Sequence, residues 1–499
     1  MTDTICNRTF DEIAPGDRAT LQRTLTPNDI STFAVMSGDA NPSHVDAEFA
    51  RSTPFHQVVA HGMWSGALLS NLLGTELPGP GTIYVDQSLS FHQQVMLGDT
   101  VTVSVTAREK FAETHRIRFD CAVVNQRGET VVSGHALVQA PTEKICRPRT
   151  HLPQLHLVDP GQRLLALVAK ARAGCAGLRP MRVAVVHPVN AVSIQGAIDA
   201  AQAGLIEPVW IGPEARIRAA ADAAGIDLSP WQLLPTEHSH AAAALAVELA
   251  RSGKVGALMK GALHTDELMH AVFDAQNGLR TGRRASHVFV IDAPAADRLL
   301  FITDAAINID PDLDTKRDIA QNAIDLAHAL GIATPRMAIL AAVETVNANM
   351  PATLHAAALC KMADRGQITG AILDGPLAFD NAMSLAAAKT KDIVSPVAGQ
   401  ADILLTPDLE SGNMLAKQLE YLGDATIAGL VVGTRVPIIL TSRADGVEAR
   451  LASCALAVLQ RQFLLRAVEQ SGPVHTVDPA LAAASRMSEP DPPAASALA

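Results

Sequence analysis

Two textures of apolar and polar positions divide the chain. From residue 81 to 140 they alternate with a period of two. Thr100-Val101-Thr102-Val103-Ser104-Val105 follows the turn Leu97-Gly98-Asp99, a second run extends from His115 to Val124, and Gln126-Arg127-Gly128-Glu129 turns into a third, Thr130 to Gln139. Alternation broken by polar, glycine-bearing turns predicts an antiparallel meander. Two helices are predicted ahead of it. Thr26-Pro27-Asn28-Asp29 is a start signal: Thr26 caps, Pro27 suits the first helical position and Asp29 completes a capping box. Gly62 to Leu73 is apolar nearly all round, so it must be wrapped on most sides. Beyond residue 161 short β-branched runs alternate with alanine-rich helical stretches. The runs are 182–186, 209–211, 257–259, 288–291, 338–340, 371–373, 403–405 and 436–440. That alternation predicts an α/β region with a largely parallel sheet.

A buried helix embraced by a curved antiparallel sheet is the hot-dog arrangement. The expected fold class is therefore an α+β hot-dog domain followed by an α/β region of two subdomains with mainly parallel sheet. The expected boundaries are 1–147 for the first domain, 148–160 for a proline-bearing linker, 161–470 for the second domain, and 471–499 for a disordered tail rich in Pro, Ala and Ser.

Composition narrows the function classes. The chain has 499 residues, 48% apolar and 18% charged, which suits two or three domains with large cores. Forty basic against 51 acidic side chains give a net charge of −11, which argues against a broad grip on nucleic acid. Anionic ligands must then be met by local Arg, Lys and backbone N–H clusters. The six cysteines form no C-x-x-C pair and do not read as a disulfide framework or zinc site; a reducing compartment suits them. The start of the chain lacks a signal-peptide pattern and no apolar window reaches membrane-spanning length, so a cytoplasmic setting without membrane contact is expected.

The first chemical constellation is Ser37-Gly38-Asp39-Ala40-Asn41-Pro42-Ser43-His44. It puts a carboxylate and an imidazole five residues apart in what Gly38 and Pro42 should make a fixed, non-helical loop. Asp39 and His44 can there converge on one water. Hydration of a double bond conjugated to a thioester needs a base for the water proton and an acid for C2. It also needs a donor facing the thioester oxygen, for which the N–H of Gly62 at the start of the buried helix is the candidate. An Asp-x-Asn-Pro turn beside a histidine is also an ordinary structural motif. With the helix and meander around it, however, the segment closely resembles the MaoC-like family of (R)-specific enoyl-CoA hydratases over residues 10–140. The resemblance implies Asp39 and His44 as the catalytic pair, with Asn41 and Gly62 contacting substrate. Ser43 stands where members usually carry an aliphatic residue. Arg108, Lys110, Arg116 and Arg118 cluster about one strand turn and suit either coenzyme A phosphates or a solvated edge strand.

The second constellation is spread over strand ends: Lys260-Gly261-Ala262-Leu263-His264-Thr265, Leu279-Arg280-Thr281-Gly282-Arg283-Arg284, Pro407 to Asn413, and Thr441-Ser442-Arg443-Ala444-Asp445. Ligands of open parallel sheets bind beyond the carboxyl ends of strands, so these segments are expected at one phosphate-binding cleft. Neither G-x-x-x-x-G-K-[ST] nor G-x-G-x-x-G occurs, and a metal-dependent dehydrogenase would want more carboxylates. With Ile302 to Asn308 and Asp374-Gly375-Pro376, the set is similar to the phosphate acetyl/butyryltransferase family over residues 165–468, nearest its butyryl branch around Arg280 to Arg283. The resemblance implies reversible acyl exchange between coenzyme A and phosphate. It places Ser442 and Arg443 in catalysis and Lys260, His264, Thr265, Arg280, Arg283 and Asn308 in substrate binding. Some members place an acid shortly after the Ser-Arg pair as base towards the thiol; here Ala449 stands near that place, and Asp445 and Glu448 are its neighbours.

The expectation is thus a bifunctional CoA-thioester enzyme. Its substrates are acyl-CoA, CoA and phosphate, with no metal or other cofactor, and the resemblance implies a homo-oligomer. One alternative keeps the second domain as a non-catalytic binding or oligomerising module. Another keeps the Asp39 and His44 roles on hydroxylated CoA esters other than fatty ones.

Overall fold

The computed structural model describes residues 4–150, 161–440 and 446–471. The chain divides into two compact units, 1–158 and 159–499.

In the first unit five strands form an antiparallel sheet: β2 (Arg18–Thr24), β3 (Ile83–Phe91), β4 (Thr100–Phe111), β5 (Arg116–Asn125) and β6 (Thr130–Gln139), in the order β2-β4-β5-β6-β3. The pairing Val103↔Val123 and Val105↔Cys121 puts the apolar set of β4 and β5 on one face. That face covers helix α4 (Gly62–Thr75), whose Leu69, Leu72 and Leu73 are fully buried. Each such leucine contributes about 1.5–3 kcal/mol on leaving water. Gly134 on β6 has a steric reason: a Cβ there would come 2.0 Å from the Ser88 carbonyl oxygen of β3.

Helix α1 (Pro27–Ser37) starts as expected. Thr26 Oγ1 accepts from Asp29 N at 3.2 Å and Asp29 Oδ2 accepts from Thr26 N at 2.9 Å. Gly38, with φ 74°, closes it in the left-handed conformation. The segment after it is not a plain loop. Pro42–Val45 forms a one-turn helix, α2, because Asn41 Oδ1 accepts from Ser43 N at 3.0 Å and proline suits the first helical position.

The cysteine reading is corrected for one pair. Strands β1 (Thr4–Cys6) and β7 (Cys146–Pro148) pair antiparallel with Cys6 opposite Cys146, and the two are joined as a disulfide. Spacing along the chain carries no sign that residues 140 apart become cross-strand neighbours. Cys121, Cys175, Cys360 and Cys454 are free thiols.

The second unit is built on one eleven-stranded sheet. In spatial order it runs β10 (Leu233–Pro235), β9 (Ile206–Gly212), β8 (Met181–Val186), β11 (Ala257–Lys260), β18 (Ile438–Ile439), β17 (Thr426–Val432), β12 (Ser286–Asp292), β13 (Leu300–Thr303), β16 (Ile403–Leu405), β14 (Arg336–Leu340) and β15 (Ile372–Leu377). Pairing is parallel from β10 to β18 and from β13 to β15, and antiparallel across β18-β17-β12-β13. Three reversals leave the two parallel halves running in opposite senses. Their carboxyl ends therefore lie at opposite edges of the sheet. Three strands escaped the pattern reading: β10, β13 and β17. Among the described residues no helix is long and apolar enough to cross a membrane.

Candidate functional site

In the first unit Asp39, His44 and His61 converge. One ligand atom from each lies within 4.8 Å of the others, and among the described residues this is the group close enough to hold a metal ion. His44 Nδ1 is 2.8 Å from the Val59 carbonyl oxygen. A carbonyl only accepts, so the proton sits on Nδ1 and neutral His44 keeps its lone pair on Nε2. The same reasoning puts a proton on His61 Nε2, 3.0 Å from the Asp39 carbonyl oxygen. The His61 ring is 4.0 Å from that of His44 and 5.0 Å from that of Phe33, and the residue is 3% exposed. His61 thus ties the Asp39 segment to the first turn of α4 and backs the His44 ring. Sequence reasoning passed over it as part of a helix-start turn; its place immediately before Gly62 was the available signal.

Beside these groups lies a cavity of about 320 Å³ whose lining includes Asn41, His44, His61, Gly62 and Gln93; Asp39 is not among its lining residues. Phe55, Val59, Phe91, Val95 and Val132 supply apolar lining to the same cavity. Gly62 opens α4, whose cap makes no side-chain hydrogen bond, so the first N–H groups of that helix are open to a ligand. A Cβ on Gly62 would approach Phe91 Cε1 to 3.3 Å and narrow this end.

Three of the four basic residues of the meander are engaged within the chain. Lys110 Nζ donates to the carbonyls of Phe10 and Ile13, both at 2.6 Å, Arg118 pairs with Glu109 and Arg108 with Asp120. They lie on β4 and β5, interior strands of the sheet, so the edge-strand alternative does not describe them either.

In the second unit a cavity of about 600 Å³ is walled by Arg280, Arg283, Arg284, Asn308 and Thr434. The turn carrying these arginines is held from several sides. Arg280 Nε donates to the Phe273 carbonyl at 2.5 Å, Thr281 Oγ1 to the Gly433 carbonyl at 2.7 Å, and Arg283 pairs with Asp325 at 2.5 Å. Arg280 also bridges to Thr434, just beyond β17. Opposite, Asp304 is 2% exposed and accepts from the N–H groups of His287, Ala306, Ile307 and Asn308 and from Asn308 Nδ2. Burial pushes its carboxyl above the usual range against these hydrogen bonds. The Pro407 to Asn413 segment packs behind this turn, where a Cβ on Gly412 would come 2.5 Å from the Asp304 carbonyl oxygen.

Arg280, Arg283 and Asn308 are thus brought together. Lys260, His264 and Thr265 are not in that wall. They stand at the carboxyl end of β11 and the start of the helix Thr265–Val272, in the half of opposite sense. There Gly261 lies against β8, and a Cβ on it would meet the Val186 carbonyl oxygen at 2.3 Å. Ser442 and Arg443, with Thr441, Ala444 and Asp445, lie outside the described residues; the chain enters that segment from β18, the sheet neighbour of β11. Glu448 is excluded from the arginine-walled cavity. Its Oε2 and Thr426 Oγ1 both lie 3.2 Å from the Cβ position of Gly161. Thr426 begins β17 and Gly433 follows its other end, roughly 20 Å away at the usual strand rise. Ala449 is buried at the start of the helix Val447–Ser471.

A hot-dog unit with a carboxylate–imidazole pocket and an α/β unit with an arginine-walled pocket define an enzyme chain of two ligand-binding parts. Residues 236–458 match the family model described as phosphate acetyl/butaryl transferase, and residues 13–125 match the MaoC like domain. A phosphate acetyltransferase of Rhizobium meliloti is 60% identical over 293 residues, 59% of this chain and 92% of the relative. The crystal structure of a branched-chain phosphotransacylase from Enterococcus faecalis is 29% identical, covering 56% of this chain and 99% of that one, with a TM-score of 0.51. An unliganded R-hydratase from Pseudomonas aeruginosa is 40% identical, covering 31% of this chain and 99% of that one, with a TM-score of 0.30. The chain belongs to the phosphate acetyl/butyryl transferase family and carries a MaoC-like domain ahead of its transferase region.

Proposed function

We propose that each unit acts on a coenzyme A thioester. The transferase unit exchanges acyl groups between CoA and phosphate. The MaoC-like unit hydrates trans-2-enoyl-CoA to (R)-3-hydroxyacyl-CoA, or runs the reverse dehydration. The observation that carries the hydratase reading is the convergence of Asp39, His44 and His61 beside a cavity that His44, His61 and Gly62 line together with apolar side chains. Water bound to the pair gives up a proton as its oxygen bonds C3, and the pair returns a proton to C2. His44 Nε2, left unprotonated by the Val59 hydrogen bond, accepts the first. The Gly62 N–H meets the thioester oxygen as charge gathers on it. This chemistry calls for no metal, so turnover should survive a chelator.

In the transferase a phosphate oxygen attacks the thioester carbonyl carbon. The new C–O bond forms, the C–S bond breaks and the thiolate leaves to take up a proton. Arg280 holds the phosphate in this reading, with Arg283 as a second candidate; by family resemblance Arg443 also binds the phosphoryl group and Ser442 hydrogen-bonds the tetrahedral oxyanion. The arginine-walled cavity speaks against a purely structural role for this unit. Asp445 and Glu448 are the acids near the Ser-Arg segment that could take the thiol proton.

Absorbance loss of crotonyl-CoA and phosphate-dependent CoA release from acetyl- and butyryl-CoA test both halves on one preparation. Asp39→Asn should abolish the first and spare the second; Arg280→Ala should raise KM for phosphate and spare the first. Loss of both activities in either variant would refute two independent sites.

A further inference from the structure

The side-chain amide of Asn308 has a determined orientation. Its Nδ2 lies 2.6 Å from Asp304 Oδ2 and 2.9 Å from the Ala285 carbonyl oxygen. A carbonyl oxygen and an ionised Asp304 carboxylate both only accept, so with Asp304 ionised both amide hydrogens are used and the nitrogen occupies that side. Among the described residues the oxygen Oδ1 has no hydrogen-bond partner, and Asn308 lines the arginine-walled cavity. Asp304 enforces this arrangement. It is buried and surrounded by donors alone, and Thr406 Oγ1 and Gly412 pack against its own carbonyl oxygen. Other acceptors of the wall are consumed internally: the Phe273 carbonyl by Arg280, the Gly433 carbonyl by Thr281, and the carboxylate of Asp318 by Arg284 N and Arg317. The cavity lining therefore offers guanidinium donors together with the amide oxygen of Asn308, which no described group occupies.

A phosphate dianion is matched by the guanidinium groups and repelled by an amide oxygen. The acceptor calls for a ligand group that donates. We infer that Asn308 Oδ1 accepts a hydrogen bond from the cysteamine end of coenzyme A, through its thiol S–H or its adjacent amide N–H, and that Asp304 is the positioning residue that holds Asn308 in this sense. The inference rests on the transferase reading above. It places the thiol end against the same cavity as phosphate, as a transferred acyl carbon bonded in turn to sulfur and oxygen requires. A carboxamide oxygen is too weak a base to remove the thiol proton, so Asn308 orients the nucleophile and does not deprotonate it.

The test is titration calorimetry of the full-length chain with CoA and with desulfo-CoA, beside KM for phosphate in the CoA-release assay. Asn308→Ala should weaken CoA by about five- to tenfold, the loss of one hydrogen bond, and leave KM for phosphate within about twofold. A loss for CoA alone identifies the thiol as donor; an equal loss for desulfo-CoA identifies the amide N–H. Asp304→Asn, nearly isosteric, should reproduce the CoA defect without the phosphate defect, a split that a merely structural role would not give. If Asn308→Ala fails to melt cooperatively, Asn308→Ser makes the same comparison. Unchanged CoA affinity, or equal loss for CoA and phosphate, overturns the inference. Absence of CoA binding by the unaltered protein overturns the transferase reading together with it.

Discussion

Replacing His61 separates its hydrogen bond from its packing. His61→Phe keeps a flat ring against His44 and Phe33 but removes the N–H that serves the Asp39 carbonyl at 3.0 Å. Leaving a partly buried acceptor without its donor costs about 1–3 kcal/mol. If the Asp39 segment relaxes by shifting away from His44, that cost appears in the barrier, and at about 1.36 kcal/mol per decade it corresponds to roughly five- to 150-fold in kcat. His61→Gln restores an N–H near the position of Nε2 and should remain within about fivefold of the unaltered enzyme. The assay is crotonyl-CoA hydration followed by absorbance, with phosphate-dependent CoA release as the internal control for intact protein. Unaltered kcat in His61→Phe, or equal impairment of the Phe and Gln variants, would refute the positioning role.

Two further outcomes concern stability. His287 is 2% exposed, and burial pushes its imidazole pKa down to about 3. The unfolded chain binds a proton there below about 6.5 that the folded chain refuses, so this residue should remove about 1.4 kcal/mol of stability per pH unit between 6.5 and about 3. Urea unfolding across that range checks it, and His287→Gln should flatten the slope. The Cys6–Cys146 disulfide closes a loop spanning 140 positions, so Cys6→Ser should destabilise the first unit by about 2–4 kcal/mol, read from urea inactivation of the hydratase. The unreduced, denatured protein should show four titratable thiols; six would refute the pairing.

Much of the fold was legible because periodicity reports which side of an element faces a core. The capping box at Thr26 and Asp29, the wrapped helix from Gly62 and the alternation of β4 to β6 are local patterns, and local physics decides them. The missed strands had no comparable mark. β10 and β13 span three and four residues and β17 is apolar on both faces, so none shows the period-two alternation of a half-buried strand. The candidate pair Asp39 and His44 was readable because both residues sit within one turn and its neighbour. The partner that fixes them, His61, was not, since its role comes from a hydrogen bond across 22 residues.

The chain alone determined the order of the two units, the chemistry available to each and the carboxylate–imidazole pair, since all of these reside in contiguous segments. Only the tertiary structure decided which distant residues share a wall. The three antiparallel pairings at the centre of the large sheet reverse its halves, so Lys260 and Arg280, both at strand ends in sequence, do not line one cavity. The same geometry sends Glu448 to the far end of β17 and, among the described residues, leaves the Asn308 amide oxygen unpartnered. Strand direction and hydrogen-bond satisfaction are properties of the assembled sheet; no pattern along a single strand contains them.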